Sequence, residues 1–555
     1  MKHVAFAFTF TLLAACAPMA EAPETASAPA VTAAAIDLAA LREDIETLAS
    51  DEYEGRMPGT PGGRKTVEYL TRRFAEAGLR PGNQGSWVQE VPLVEIGLEG
   101  DPDLIVSGPA TQLSFDYKTD MVAVSYRPDA ETRLEDSDIV FVGYGINAPE
   151  RGWNDYEGVD VAGKTVIMLV NDPDWEMESL DGTFEGRAMT YYGRWTYKYE
   201  EAARQGAAAA FVVHDTAPAS YGWNVVSSSW SGPQHYMGGR DPDAPTTRVN
   251  GWVTNEAAPA IMAAPGRDLD ALTAAAKRPG FKAVPLGLKA SIDFRNRSAT
   301  QSSHNVIGIL PGSERPDEYV IYTAHWDHLG ICEANEAGDD ICNGARDNAT
   351  GTAGLIAIAD AMRKQGAPER SVVFLAVTAE ESGLLGSAYY GANPVYPLAR
   401  TVGGINMDGL PAAGASRDFV VVGKGKSELE EYLAAVLDAR GLELKAEPAP
   451  EAGYYYRSDH FSLAKHGVPM LYARPGEDLV EGGIAAGRAA EQAYRAERYH
   501  GPEDEITADW DWQGLARDLS IYYAIGRALA ETEDWPNWYE GTEFRAIRDE
   551  SRGGM

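Results

Sequence analysis

The sequence predicts a three-layer α/β/α sandwich with a mixed, largely parallel central sheet and a small β-rich domain inserted into it. The chain has 555 residues, which favours two or three domains over one core. From about residue 302, apolar runs of strand length alternate with helical stretches, as in a sheet that is covered by helices. Between 115 and 295, β-rich runs with long Trp/Tyr/Gly-rich connections interrupt this pattern.

The first 35 residues predict export. Lys2 and His3 precede an apolar run that is too short for a comfortable membrane span and that ends in "LAAC". This resembles the bacterial lipoprotein box, in which residues 1–15 are a signal peptide and Cys16 becomes the lipidated first residue. A plain signal peptide cleaved near "APMAEA" is the alternative and would give a secreted protein. We expect an envelope or periplasmic protein whose only membrane contact is a lipid on Cys16.

The rest of the chain divides into four predicted segments. Residues 16–35 are rich in Ala and Pro and predict a flexible tether. Residues 36–114 carry two amphipathic helical patterns around a Gly/Pro-rich loop and begin the main domain. Residues 115–295 form the insertion, and residues 296–550 complete the main domain.

The charge balance and the cysteines limit the possible partners and the compartment. The chain has 83 Asp and Glu against 48 Lys and Arg, so its surface repels polyanions and nucleic acid is excluded as a partner. Beyond Cys16, only Cys332 and Cys342 are present. In an oxidising compartment such a nearby pair favours a disulfide. A thiolate metal site is a weaker alternative, because no His stands at ligand spacing between them.

Polar residues directly after the strand-like runs are candidates for a site, because ligands bind beyond the carboxyl ends of strands in such sheets. Each has an ordinary explanation alone, as a helix cap, a core histidine or a solvated acid. Together, two His and three carboxylates suit a pair of zinc ions, and one glutamate remains as a base for a water nucleophile. The candidates are "HWDH" (325–328), Asp347, the pair Glu380 and Glu381, Asp408, and His500.

Five motifs give the sequence a specific resemblance. The motifs "AHWDHLG", "GARDNATGTA", "EESGLLGS", "NMDG" and "YHGPEDE", in this order, resemble the co-catalytic di-zinc aminopeptidases related to bacterial leucyl aminopeptidase. Glutamate carboxypeptidase II and the transferrin receptor belong to the same family. The inserted segment is similar to the protease-associated domain that many members carry. The resemblance implies a zinc exopeptidase fold, two Zn²⁺ ions per chain and peptide substrates.

The resemblance also implies a role for each motif residue. Asp347 bridges the metals, His325 and Asp408 complete one metal's ligands, and Glu381 and His500 complete the other's. Glu380 is the general base, which takes a proton from a metal-bridging water and passes it to the leaving amine. By analogy with carboxypeptidase members, Tyr499 donates a hydrogen bond to the oxyanion, with simple packing as its alternative.

Supporting residues follow from the rule that a ligating His donates its other N–H to a carboxylate or carbonyl. Asp327 lies two residues from His325, on the same side of an extended chain, and is expected to hold it. Asp504 is expected to do the same for His500. His328 is not expected to bind metal, and His460 in "SDH" is expected to line the pocket or to support the structure.

The favoured activity is release of an N-terminal residue from a peptide, and three alternatives remain. A glutamate-carboxypeptidase-like enzyme needs a cationic pocket for a substrate carboxylate, for which Arg457 or Arg474 is available. Glutaminyl cyclase activity is more remote, because those relatives use one zinc. A non-catalytic receptor would have lost ligands, and here none is lost.

Overall fold

The computed structural model describes residues 35–231, 234–238 and 245–553. The predicted signal peptide, Cys16 and nearly all of the tether therefore lie outside the described residues. No helix within the described ranges is long and apolar enough to cross a membrane.

The helices and strands follow in chain order. The helices are α1 Leu38–Leu48, α2 Pro61–Glu76, α3 Trp195–Arg204, α4 Thr216–Ala219, α5 Trp223–Ser229, α6 Ala258–Ala263, α7 Leu269–Ala276, α8 Thr350–Gln365, α9 Leu385–Ala392, α10 Leu429–Asp438, α11 His460–Ala464, α12 Gly483–Glu497, α13 Trp512–Glu531 and α14 Arg545–Arg552. The strands are β1 Arg80–Pro81, β2 Val88–Glu99, β3 Leu104–Gly108, β4 Thr111–Phe115, β5 Met121–Val124, β6 Glu131–Phe141, β7 Asn147–Ala148, β8 Trp153–Asn154, β9 Thr165–Leu169, β10 Ala209–His214, β11 Gln234–Met237, β12 Val249–Thr254, β13 Val284–Leu310, β14 Arg315–His325, β15 Gly330–Ile331, β16 Ile341–Cys342, β17 Arg370–Val377, β18 Thr401–Asn406, β19 Asp418–Val421, β20 Glu443–Ala446 and β21 Met470–Pro475.

The central sheet has parallel strands in its middle and antiparallel strands on both sides. Strand β14 lies between β17 and β18, and β18 pairs with β21, all in parallel. Strand β13 pairs antiparallel with β17 on one side, and β19 pairs antiparallel with β21 on the other. The predicted mixed, largely parallel sheet is therefore confirmed.

Helices cover both faces of this sheet, because its strands are apolar on both sides. Along β14, Val320 and Tyr322 belong to a core shared with α1, α8 and α13. The intervening Ile321 packs on the opposite face, with Leu463 of α11. Successive side chains of a strand point to opposite faces, so continuous apolar runs such as "YVIYTA" require the three layers that the sequence predicts.

A second hydrophobic core lies in the β-rich region. It extends in sequence from Leu104 to Phe294, so it begins upstream of the predicted start at residue 115. The 27-residue strand β13 connects the two bodies, because its first half pairs with β6 and its second half with β2 and β17. The predicted boundary at 295/296 thus falls inside one continuous strand.

Candidate metal centre

The predicted ligands come together at the carboxyl edge of the parallel strands. His325 is the last residue of β14, Glu381 follows β17, and Asp408 follows β18. Asp347 lies in the turn before α8, and His500 follows α12. The edge of a parallel sheet collects strand ends from distant parts of the chain, so residues far apart in sequence converge here.

The turn that carries Asp347 depends on a glycine. Gly344 has a φ of 54°, and a Cβ there would lie 2.1 Å from the Asp347 carbonyl oxygen. Only glycine fits a positive φ with such a close approach at no steric cost. The peptide bond between Asp347 and Asn348 is cis. The turn leaves the Asp347 carboxylate buried between two histidines.

Asp347 presents one carboxylate oxygen to each histidine. Its Oδ1 lies 3.2 Å from His325 Nε2, and its Oδ2 lies 3.4 Å from His500 Nε2. Asp408 Oδ1 lies 3.3 Å from His325 Nε2, and Glu381 Oε2 lies 3.1 Å from His500 Nε2. The structure therefore brings the five predicted ligands together, as two groups that share Asp347.

This donor set fits two zinc ions. Ligand atoms about 2.0–2.2 Å from a tetrahedral zinc lie about 3.3 Å apart, and the four distances around Asp347 run from 3.1 to 3.4 Å. Asp347 Oδ1 is buried and accepts no hydrogen bond of good geometry from the described residues. A buried polar atom of this kind needs a partner, and a metal cation would supply it.

The electrostatics of the site point the same way. Burial opposes the charge of both histidines, but the surrounding carboxylates outweigh it. Glu380 and Asp408 raise the pKa of His325 well above its usual value, and Glu381 and Asp347 raise the pKa of His500 to about 10. The carboxylates of the site thus stabilise positive charge at both imidazoles.

Zinc binding should therefore release about two protons per chain at pH 7. His325 and His500 bind a metal only as neutral imidazoles, yet both are protonated at this pH because their pKa values are raised. The affinity for zinc should consequently increase as the pH rises from about 6 to 8. Calorimetry in two buffers with different ionisation enthalpies counts the protons; zinc uptake without proton release would contradict this prediction.

Glu380 lies next to the site. One of its carboxylate oxygens is within 4.8 Å of the ligand atoms of His325 and Asp408. Burial, and then the negative charges of Glu381 and Asp408, raise the pKa of Glu380 well above its usual value. A carboxylate whose pKa is raised is suited to take up and return a proton.

Asp327 supports the site through two different groups. Its backbone carbonyl oxygen, rather than its carboxylate, lies within hydrogen-bonding distance of His325 Nδ1, at 3.2 Å against 3.9 Å. The carboxylate instead accepts hydrogen bonds from the backbone N–H groups of Glu380 and Glu381. Asp327 thus contacts His325 as predicted, but by its main chain, and its side chain holds the Glu380–Glu381 turn.

Asp504 holds a different group from the one predicted. Its carboxylate accepts hydrogen bonds from the backbone N–H groups of Arg346 and Asp347, at 3.1 and 3.0 Å. Tyr494 also donates its hydroxyl to this carboxylate. Because the loop after His500 folds back beneath the turn before α8, Asp504 fixes Asp347 rather than His500.

Two further supporting residues were not predicted. His328 is fully buried, and its Nδ1 lies 2.7 Å from Glu381 Oε1. Ser458 donates its hydroxyl to Asp408 Oδ2 at 2.5 Å. The position of His328 three residues after His325 could have indicated that it lies near the ligands. His460 of the motif "SDH" packs between Tyr455 and Tyr472, which agrees with the expected structural role.

Tyr499 and the cysteine pair lie at the border of the site. The Tyr499 ring stacks on the His500 ring with centroids 3.8 Å apart and remains 49% exposed. Its position is therefore accessible to a substrate.

Cys332 and Cys342 form a disulfide, which links the short strands β15 and β16.

The comparison with known proteins identifies this region. Residues 305–524 match the model of peptidase family M28, and this segment contains the five predicted ligands, Glu380 and Tyr499. Residues 305–524 are thus similar to peptidase family M28, and this segment is called the M28 domain. The family resemblance drawn from the five motifs is thereby confirmed for this segment.

Two curated relatives are similar to this chain over part of their length. Aminopeptidase NAALADL1 of Mus musculus is 35% identical over 139 residues, which are 23% of this chain and 17% of the relative. A glutamate carboxypeptidase 2 homolog of Caenorhabditis elegans is 36% identical over 128 residues, 22% of this chain and 15% of the relative. The match thus spans less than a fifth of either relative.

A solved structure extends the similarity of the fold beyond the M28 domain. The aminopeptidase from Aneurinibacillus sp. strain AM-1 matches 90% of this chain and 95% of its own, with a TM-score of 0.50 and 20% identity. At this identity the likeness concerns the fold.

Proposed function

We propose that this chain is an exported di-zinc aminopeptidase. The position of Asp347 between His325 and His500 carries the proposal, since one carboxylate faces both histidines. An M28 domain and a full set of ligands support zinc-dependent peptide hydrolysis. The disulfide supports export to an oxidising compartment. Mass spectrometry of the mature N-terminus would distinguish lipidated Cys16 from cleavage further downstream.

The roles of the residues follow from their positions. His325, Asp347, Asp408, Glu381 and His500 would hold two zinc ions, which supply Lewis-acid chemistry that activates water and polarises the peptide carbonyl. Glu380 accepts a proton from the attacking water and returns it to the leaving amine. Its backbone N–H donates to the Asp327 carboxylate, which holds the segment that carries Glu380 beside the ligands. Tyr499 donates its hydroxyl to the developing oxyanion.

One observation favours a second candidate, a glutamate-carboxypeptidase-like enzyme. Arg457 has two buried guanidinium nitrogens, Nε and Nη2, without a hydrogen-bond partner among the described residues, and Arg194 has such an Nε. The two guanidinium groups are close enough for Arg457 to lower the pKa of Arg194, after burial itself. Arg457 directly precedes Ser458, which contacts Asp408. Arg474, by contrast, is paired with Glu491.

Two neighbouring arginines with unsatisfied donors form an environment suited to a carboxylate, which accepts hydrogen bonds from such donors. A substrate with a carboxyl group near the cleaved bond would supply this carboxylate. Arg194 belongs to the inserted region and Arg457 to the M28 domain, so this pocket would be built by both parts of the chain.

A panel of substrates tests the proposed activity. We expect hydrolysis of aminoacyl substrates with a free amine, loss of activity with a chelator, and recovery when zinc is added. Preferential cleavage of N-blocked dipeptides with a free carboxylate would support the second candidate instead. In that case Arg457→Met should raise KM for those dipeptides by about tenfold or more. Arg488→Met is the control, because Arg488 is exposed and pairs with Glu477.

A further inference from the structure

Arg56 is a buried cation that donates to four backbone carbonyls. It is 1% exposed, although its side chain is charged. Its Nε donates to Trp326 O at 2.8 Å, and its Nη2 donates to Gly344 O at 3.0 Å. Its Nη1 donates to Asn343 O at 2.5 Å and to Leu48 O at 2.6 Å. Four carbonyl oxygens from three separate parts of the chain therefore share one guanidinium group.

Two of these partners lie next to metal-ligand positions. Trp326 follows His325 directly, and Gly344 begins the turn that carries Asp347. The planar guanidinium group holds its donors at fixed angles, so the carbonyls of the two segments cannot shift independently. A lysine at this position would keep the positive charge but could not donate from three nitrogens held at fixed angles.

The charge of Arg56 also matches its surroundings. Burial lowers the pKa of Arg56 to about 10, while Asp327, Asp504, Asp347 and Glu381 act to raise it. The group therefore remains a cation at neutral pH. Its positive charge helps to offset the repulsion between these carboxylates.

The backbone adopts an unfavourable conformation to bring Arg56 inside. Glu54, Gly55 and Arg56 all have positive φ values, of 47°, 61° and 53°. A Cβ at Gly55 would lie 2.5 Å from the Cys342 carbonyl oxygen, so this segment packs directly against the disulfide hairpin. Successive residues in this conformation are costly for side chains other than glycine and tend to occur at functional sites.

We propose that Arg56 is a positioning residue of the metal centre, which fixes the spacing between the segment that carries His325 and the turn that carries Asp347. The proposal rests on the zinc binding in the proposed function but not on the type of peptide that is cleaved. If the wild-type chain binds zinc but cleaves no peptide, the proposed activity fails and the role of Arg56 stands.

The test measures the zinc affinity of the full chain by competition with a zinc chelator, together with thermal unfolding of the metal-free form. Arg548 provides the matched control. It is also 1% exposed, burial likewise lowers its pKa to about 10, and it donates to the backbone carbonyls of Leu398, Thr401 and Val402. These carbonyls lie at the opposite end of β18 from Asp408.

We expect Arg56→Lys to weaken zinc binding by about tenfold and Arg56→Met by about 100-fold. Arg548→Lys and Arg548→Met should lower the Tm but leave zinc affinity within about twofold of the wild type. If Arg56→Met does not fold, the zinc affinities of Arg56→Lys and Arg548→Lys are compared to test the proposal. A folded Arg56→Lys that binds zinc like the wild type, or an equal loss of affinity in Arg548→Lys, would overturn the proposal.

Discussion

Glu380→Gln should lower kcat for peptide hydrolysis by about 10²–10⁴-fold, the contribution expected of a general base, while the zinc content should stay unchanged. Glutamine keeps the shape of the side chain but cannot accept the proton. Glu380 lies near His325 and Asp408 without being one of the five residues grouped around Asp347. The measurement is kcat on an aminoacyl substrate, with zinc determined on the same sample.

Glu381→Gln is the control for this prediction, because the two glutamates are adjacent but face different partners. Glu381 Oε2 lies 3.1 Å from His500 Nε2 and its Oε1 lies 2.7 Å from His328 Nδ1. Its replacement should reduce zinc content and activity together. If Glu380→Gln also loses its zinc, Glu380 holds metal; if it keeps full activity, another group is the base.

The sequence predicts most of the fold and the ligand set because both depend on local patterns. Apolar runs on β14 and β17 alternate with helices, which is sufficient to predict a sheet covered on both faces. In such a sheet the residues after parallel strands share one edge. His325, Glu381 and Asp408 could therefore be placed together although they lie far apart in sequence.

The supporting residues could not be predicted in the same way, because their partners depend on how distant loops fold. Arg56 stands in a Gly/Pro-rich loop and contacts the carbonyl of a residue 270 positions away. Backbone carbonyls leave no trace in residue types, so no pattern points to this contact. Asp504 stands four residues after His500, yet the loop turns its carboxylate to the N–H of Asp347. Spacing alone gave the wrong partner.

The three buried histidines of the M28 domain should differ in their effect on zinc. His325 is 1% exposed, and its Nε2 faces both Asp347 and Asp408. The Nδ1 of His328 lies 2.7 Å from the Glu381 carboxylate, and His460 lies between aromatic rings. His325 is thus the one whose ring nitrogen lies within 3.3 Å of two proposed ligands.

His325→Ala should weaken zinc binding by more than the roughly 10–100-fold that is typical of residues that support a ligand. His328→Ala should lie within that range, because Glu381 loses a hydrogen-bonding partner but remains available to the metal. His460→Ala should leave zinc affinity unchanged, even if it lowers the Tm by removing a packed ring. Competition with a zinc chelator measures the zinc affinity of each of the three variants and so ranks them. Equal losses for His325→Ala and His328→Ala would mean that His328 itself binds metal, and that the ligand set must be redrawn around the "HWDH" motif.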